Sequence, residues 1–353
     1  MKLKIDPALI RTGFCAAAVS ALMGTAALAQ TEAVVTALAE TDATTGDTDD
    51  PAIWVAPADG AASRIIGTDK TFGLRVYDLN GKTLQEFPSG KINNVDLRPF
   101  AGTGGVALVG ASKREDDTMV FFTMSSAGVM TPATPHAFAA IPPGQGAGVD
   151  DIYGFAMQSD PATGRLFALA NFKTGQIFQW EISAQNDQLS LTFVRQLDVG
   201  SQPEGMVSDD QAGMIYVGEE DVGVWRFAGD PAASAEAFEV DRVGSACLPV
   251  DDVEGLAIHD GGTKRHLVVS AQGIDKAAIY RLSGAEKPVC AGLVGIGAGA
   301  LDGVSETDGL EVTSQPLPGY PEGMLVMMDD QNEGYSTNFK MISWAAVRQG
   351  LGL

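Results

Sequence analysis

Apolar positions in this chain fall into short runs of four to eight residues, each closed by Gly, Asn, Asp or Pro. The first complete set opens on Asp49-Asp50, runs through Ala52-Ile53-Trp54-Val55 and turns at Pro57, Asp59 and Gly60. A second run, Arg64-Ile65-Ile66-Gly67-Thr68-Asp69, ends in Lys70, and a third, Gly73-Leu74-Arg75-Val76-Tyr77-Asp78-Leu79, stops at Asn80-Gly81. Such runs between turn residues predict strands joined by hairpins. The set returns five times, opening at Asn93-Asn94-Val95-Asp96, Asp150-Asp151-Ile152-Tyr153, Pro203-Glu204-Gly205, Asp252-Val253-Glu254-Gly255 and Thr307-Asp308-Gly309. The period, about 52 residues, predicts an all-β, six-bladed β-propeller. The alternative is a sandwich with Gly-rich turns, against which the acid-before-apolar opening of each unit speaks.

The flanks are read from the same pattern. Residues 1–29 have a basic start (Lys2, Lys4, Arg11) and an Ala-rich apolar stretch from Phe14 to Leu28, with small residues at Ala27 and Ala29. They are read as a signal peptide cleaved before Gln30, too short to span a membrane. Cys15 stands at the start of the apolar stretch, so no lipid anchor is expected. Residues 30–353 are read as one domain, exported to the periplasm or beyond. Glu32 to Leu38 predicts a lone strand that pairs with the sixth unit and closes the ring, since an open ring would expose edges. The last few residues are expected to fray.

Charge narrows the partners. Of 45 Asp and Glu and 23 Lys and Arg, the leader takes one acid and three bases, leaving 44 against 20 and a formal charge of −24. That argues against nucleic acid and anionic membranes as partners. Two cysteines remain, Cys247 and Cys290; in an oxidising compartment they could form a disulfide.

In an antiparallel meander, the start of strand one and the end of strand two meet at one edge. Each unit therefore turns its opening acid and its second-run end toward the same face. The openings supply Asp49/Asp50, Asp96, Asp151, Glu204, Asp252/Glu254 and Asp308. The second runs end in Lys70, Lys113-Arg114 and Lys173 in the first three units, and in Glu219-Glu220, Gln272 and Asp329-Asp330 in the last three. Crowded carboxylates raise one another's pKa unless cations join them. Oxygen donors with almost no His or Cys point to calcium. The opposed cations suit the oxygens of a phosphate ester. The histidines (His136, His259, His266) form no nucleophile motif and are read as surface residues, and there is no Gly-x-Ser-x-Gly elbow or P-loop. Attack by metal-bound water is the remaining route.

The strings DDPAIWV, GTDK, NNVDLR, YGF, Glu-Gly-Met with EED, D-x-EGL with SAQG and DG-x-S-x-TDG occur in order from about Asp49 to Trp344. They resemble the β-propeller (alkaline) phytases. The resemblance implies a calcium-dependent, 3-phytase-type phosphomonoesterase acting, as a monomer, on phytate or calcium-phytate. It implies metal ligation by Asp49, Asp50, Asp96, Glu204, Glu220, Asp252, Glu254, Asp302 and Asp308, with Gln272 as a neutral ligand. It places phosphate grip on Lys70, Arg114 and Lys173, the site tyrosine at Tyr153, and water activation at Glu204. Many relatives carry Asn-Glu-Val where this chain has Asp150-Asp151-Ile152, so the Asp151 carboxylate, counted with the metal ligands, is one carbon shorter and alters the reach to one calcium. Glu40 is a further candidate ligand, and Asp329 to Asn332 are left unassigned. A propeller lactone hydrolase and a non-enzymatic anion-binding propeller are the alternatives.

Overall fold

The computed structural model describes residues 31–353 apart from 285 and 333–335; the leader expected over residues 1–29 lies outside the described residues. Two short strands, β1 (Glu32–Val35) and β2 (Ala39–Glu40), come first. A four-stranded sheet follows: β3 (Thr48–Trp54), β4 (Arg64–Asp69), β5 (Gly73–Tyr77) and β6 (Thr83–Phe87). Next are β7 (Ile92–Pro99), β8 (Ala107–Lys113), β9 (Thr118–Met124) and β10 (Met130–Ala139), then β11 (Ile152–Asp160), β12 (Arg165–Phe172), β13 (Gln176–Gln185) and β14 (Gln188–Asp198). These eight form one sheet in the order β11-β12-β13-β14-β10-β9-β8-β7, joined by the parallel pairing of Thr134 with Gln188.

The chain continues with a sheet of β15 (Pro203–Asp209), β16 (Met214–Glu219), β17 (Gly223–Ala228) and β18 (Phe238–Arg242). A five-stranded sheet combines β19 (Val253–Gly261), β20 (Lys264–Ala271), β21 (Lys276–Leu282) and β22 (Val289–Ile296) with β1. The last sheet joins β23 (Leu310–Thr313), β24 (Met324–Asn332) and β25 (Ser336–Ser343) to β2, and α1 (Trp344–Leu351) ends the chain. The arrangement is all-β and propeller-like.

The second strand of each unit is apolar and buried along nearly its whole length, as in Leu166 to Phe172 or Leu267 to Ala271. Such strands are covered on both faces, and apolar layers between neighbouring sheets do this. Trp54, Val76 and Phe122 pack in one layer, and Ile65, Phe339 and Met341 join the last sheet to the first. Each side chain of this size contributes roughly 2 kcal/mol when fully buried. The outer strand β6 alternates between half-buried and exposed positions, as a strand with one wet face does.

The first strands contact one another in a closed cycle, β3–β7–β11–β15–β19–β23–β3. Glycine permits this approach: a Cβ on Gly205 would stand 2.1 Å from the carbonyl oxygen of Glu254. Sheet thus follows sheet around a narrow axis, and the first strands line it.

Both ends of the chain differ from the sequence expectation. Glu32 to Val35 does not pair with the last unit; it lies parallel to β22 in the preceding sheet. Ala39 and Glu40 pair with Met341 and Lys340 of β25 instead, with Leu38, Thr41 and Thr44 extending the backbone bonds. One segment therefore straddles two sheets. The C-terminus does not fray. It forms a helix burying Trp344, Val347 and Leu351, stopped by Gly352 in the left-handed conformation. Among the described residues, no helix is long and apolar enough to cross a membrane.

Cys247 and Cys290 form a disulfide that ties the segment after β18 to β22. His259 and His266 are buried rather than on the surface, facing each other across β19 and β20, with His259 stacked on Trp344 at 4.0 Å. Burial pulls both imidazoles down to about 4, with Lys264 and Arg281 adding to the effect at His266 and Asp260 and Glu322 opposing it at His259. The unfolded chain, with histidine near its ordinary value, binds these protons first as pH falls. Stability should therefore drop between about pH 6.5 and 4, by at most about 3 kcal/mol per ring. A His259→Gln/His266→Gln variant should show a flatter melting temperature against pH in that window; an unchanged slope would remove these rings from the acid response.

Candidate active site

Five of the first strands share one irregularity. Pairing with the second strand shifts between Thr48 and Pro51, Ile92 and Val95, Ile152 and Phe155, Pro203 and Met206, and Val253 and Leu256. In each, two residues oppose one: Asp49-Asp50, Asn93-Asn94, Tyr153-Gly154, Glu204-Gly205 and Glu254-Gly255. A bulge of this kind bends the strand and re-aims a side chain. The opposing residue is small or polar, and in the first three units its side chain accepts the backbone N–H that the bulge frees. Thr68 Oγ1 accepts from Asp50 N–H (2.9 Å), Ser112 Oγ from Asn94 (3.1 Å) and Asn171 Oδ1 from Gly154 (2.6 Å). In the last unit Asp308 stands in the same place: its carbonyl accepts from Gly255, and Gly309 donates to Asp49.

Asp49, Asn93, Tyr153, Glu204, Glu254 and Asp308 thus occupy equivalent positions around one mouth of the axis. Lys70 Nζ lies 3.0 Å from Asp49 Oδ2, 2.7 Å from Asp308 Oδ2 and 3.5 Å from Asp47 Oδ1. Gln272 Nε2 donates to the other Asp308 oxygen. Glu204, Glu220 and Glu254 each offer an oxygen within 4.8 Å of the others. Asn93 Nδ2 donates to Glu204 Oε1 (2.7 Å), and Gln202 Nε2 holds both Glu220 oxygens at 2.7 and 2.8 Å. On the other side Arg114 and Lys173 lie against the Tyr153 ring, 5.0 and 4.4 Å from its centre. Carboxylates crowd one sector of this mouth with Lys70 among them, and Arg114 and Lys173 stand across from it.

Comparison with known proteins gives the family. The phytase family model matches residues 8–353. A 3-phytase of Bacillus subtilis (strain 168) is 34% identical over 336 residues, covering 90% of this chain and 85% of its own. The chain belongs to the phytase family. With it, the chain is a phosphoric monoester hydrolase. A protein of Bacteroides uniformis assigned as a 6-phosphogluconolactonase shares the fold, with a TM-score of 0.50 and 14% identity over 83% of this chain and 84% of its own. That likeness concerns the fold alone.

Burial sets the electrostatics of this mouth. It holds the Asp49 carboxyl well above the usual carboxylate range against the pull of Lys70, with Glu204 and Asp308 adding to the rise. Glu254 is raised in the same way, by burial and then by Glu204. Burial lifts Glu220 to about 7 and Asp308 to about 6. Burial works against the charge on Lys70, but Asp49 and Asp308 outweigh it and keep the ammonium protonated. The Tyr153 hydroxyl is also raised, by burial and by Glu204 and Glu254, so it stays a donor.

Several of these oxygens have no partner in the protein. Both Asp49 oxygens and Glu254 Oε2 are buried without a hydrogen bond, though Lys70 stands beside Asp49. Such groups are costly unless something else satisfies them. Excess negative charge, oxygen donors and orphaned buried carboxylates fit a hard divalent cation.

Other sequence-predicted residues lie elsewhere. Asp50 turns into the axis and accepts from Val95 N–H (2.9 Å). Asp96 stands two residues past the bulge, and its carboxylate is taken by Arg98 (2.7 Å) and the N–H groups of Leu97 and Met157. The residue equivalent to the other openings in that unit is Asn93, which the search for acids missed. Its signal was its place at the head of NNVDLR. Asp151 likewise precedes the bulge, whose aimed residue is Tyr153, and it pairs with the cations: Arg114 Nη2 at 3.0 Å and Lys173 Nζ at 3.9 Å. Asp252, at a left-handed φ of 79°, borders Glu220 through its backbone N–H.

Asp302 lies away from this mouth, where β2 joins β25. The fully buried Lys340 contacts Asp302 and Glu40, with Asn332 Oδ1 at 2.9 Å and Asp329 Oδ2 at 3.4 Å. Three carboxylates surround one ammonium, leaving a local excess of negative charge beside a cavity lined by Glu40, Asp302 and Asn332.

Proposed function

We propose that this phytase removes phosphate from phytate, myo-inositol hexakisphosphate, at the mouth formed by the bulged first strands, and that calcium is required. The observation that carries the reading is the convergence on one mouth of the carboxylates Asp49, Glu204, Glu220, Glu254 and Asp308, with Lys70 among them, and of Arg114 and Lys173 across from them. Lys70, Arg114 and Lys173 would grip phosphoryl oxygens, and the Tyr153 hydroxyl would donate to them. Asp49, Glu204, Glu220, Glu254 and Asp308 would hold calcium, with Asp252 and Gln272 at the rim and Asp50 and Asp96 toward the axis. Bound there, calcium would supply positive charge beside the phosphoryl group and acidify water. Glu204, oriented by Asn93, is the base placed to take a proton from an attacking water.

The Glu40–Asp302–Asp329–Asn332 group would hold a structural ion where the chain closes on itself. In the same reading, the eight-stranded sheet counts as two blades joined at their rims, making six. The closed cycle of six first strands supports that count. Export and action as a monomer complete the proposal, and the disulfide supports an oxidising compartment.

Phosphate release from phytate, measured with added calcium and with chelator, tests the reading. Calcium-dependent release is expected. A folded, calcium-binding protein that releases none would favour an anion-binding propeller instead.

A further inference from the structure

Arg114 and Lys173 are not both free to meet a substrate. One oxygen, Asp151 Oδ2, lies 3.0 Å from Arg114 Nη2 and 3.9 Å from Lys173 Nζ. A phosphoryl oxygen gripped by the same two cations would compete for this place. The other arm of Arg114 reaches Asn93 Oδ1 at 3.3 Å, and the Tyr153 ring lies beneath both cations, so their positions are set from other sides. Asp151 itself has a backbone held by hydrogen bonds and a partly exposed side chain. Its carbonyl accepts from Lys173 N–H (3.2 Å), and the next N–H, of Ile152, donates to Asp117 Oδ1 (2.9 Å). Its side chain is 37% exposed and can swing out to water without disturbing the ladder.

We propose that Asp151 is a specificity-determining residue, a built-in competitor that an incoming phosphate must displace from Arg114 and Lys173. The inference rests on the reading of these two cations as the phosphate grip. Exposed pairs of this sort are weak, so the handicap is modest, about three- to fivefold in affinity. Every phosphate that seats on these two cations bears the same cost. A ligand with one phosphate, already weak, loses occupancy in proportion, whereas a ring whose neighbouring phosphates also engage Lys70 across the mouth binds tightly enough to stay near saturation. Asp151 therefore keeps isolated phosphate esters and free phosphate off the site while phytate still fills it.

Asp151→Asn is the test, since asparagine tolerates the left-handed φ of 55° and keeps the shape. Sulfate, a tetrahedral dianion, is titrated calorimetrically against wild type and variant in calcium. KM is measured for p-nitrophenyl phosphate and for phytate, and calcium affinity is measured separately. Sulfate should bind about three- to fivefold tighter to the variant, and KM for the monoester and for phytate should each fall by a similar factor. Unchanged or weaker sulfate binding would overturn the proposal. A tenfold loss of calcium affinity would also do so, and would make Asp151 a metal ligand. Arg114→Ala and Lys173→Ala, titrated alongside, separate the two levels. If they leave sulfate binding intact, the grip itself is misplaced; if they abolish it while Asp151→Asn tightens nothing, only the role of Asp151 fails.

Discussion

Lys70→Ala should lower kcat/KM for phytate by about a hundredfold or more, the usual loss when one charge-stabilising donor leaves a buried site. Lys70 is mostly desolvated and lies within 3.0 Å of both Asp49 and Asp308, so its charge acts in surroundings where water screens it little. The variant also removes the cation beside Asp49. It should therefore be assayed in calcium, with melting temperature checked beside activity. Lys173→Ala, whose lysine touches no orphaned carboxylate, provides a second reading less exposed to folding failure. A lactone-cleaving propeller has no need of these cations; near-normal activity in both variants would refute the phosphate grip.

Removal of calcium should lower the melting temperature by ten degrees or more. Each site occupied at a hundred times its dissociation constant stabilises the fold by about 2.7 kcal/mol, and several sites act together. The carboxylates give this prediction a sign that a general salt effect lacks. Glu254 is held above its ordinary pKa by burial, so the unfolded chain releases its proton first. Its contribution to stability is intact below about pH 4.5 and is lost as pH rises above that value. Without calcium at neutral pH, Glu254→Gln should therefore melt higher than wild type. With calcium the order should reverse, because the variant has lost a ligand. Melting curves of both proteins, in calcium and in chelator, decide it; parallel shifts would mean that Glu254 holds no ion.

Much of this was legible in the chain. Acid-before-apolar openings at a regular period identified repeated strand units. The second-run ends Lys70, Arg114, Lys173, Glu220 and Gln272 could be placed at one edge because antiparallel pairing brings them to the strand starts. Charge type and the scarcity of histidine selected oxygen ligation. These properties are local or periodic, and a sequence expresses them directly.

Tertiary structure decided which residue of each opening reaches the site. The bulge puts Asn93 and Tyr153, not Asp96 and Asp151, level with Asp49, Glu204, Glu254 and Asp308. Strand alternation alone cannot show this, because one extra residue flips the side chains that follow to the opposite face. It also decided that β1 leaves the last unit for its neighbour, and that Asp302 joins Lys340 and Glu40 rather than the central mouth. These contacts join distant segments, with Glu40 and Lys340 300 positions apart. Only closure of the ring defines such neighbours, and nothing in either segment names the other.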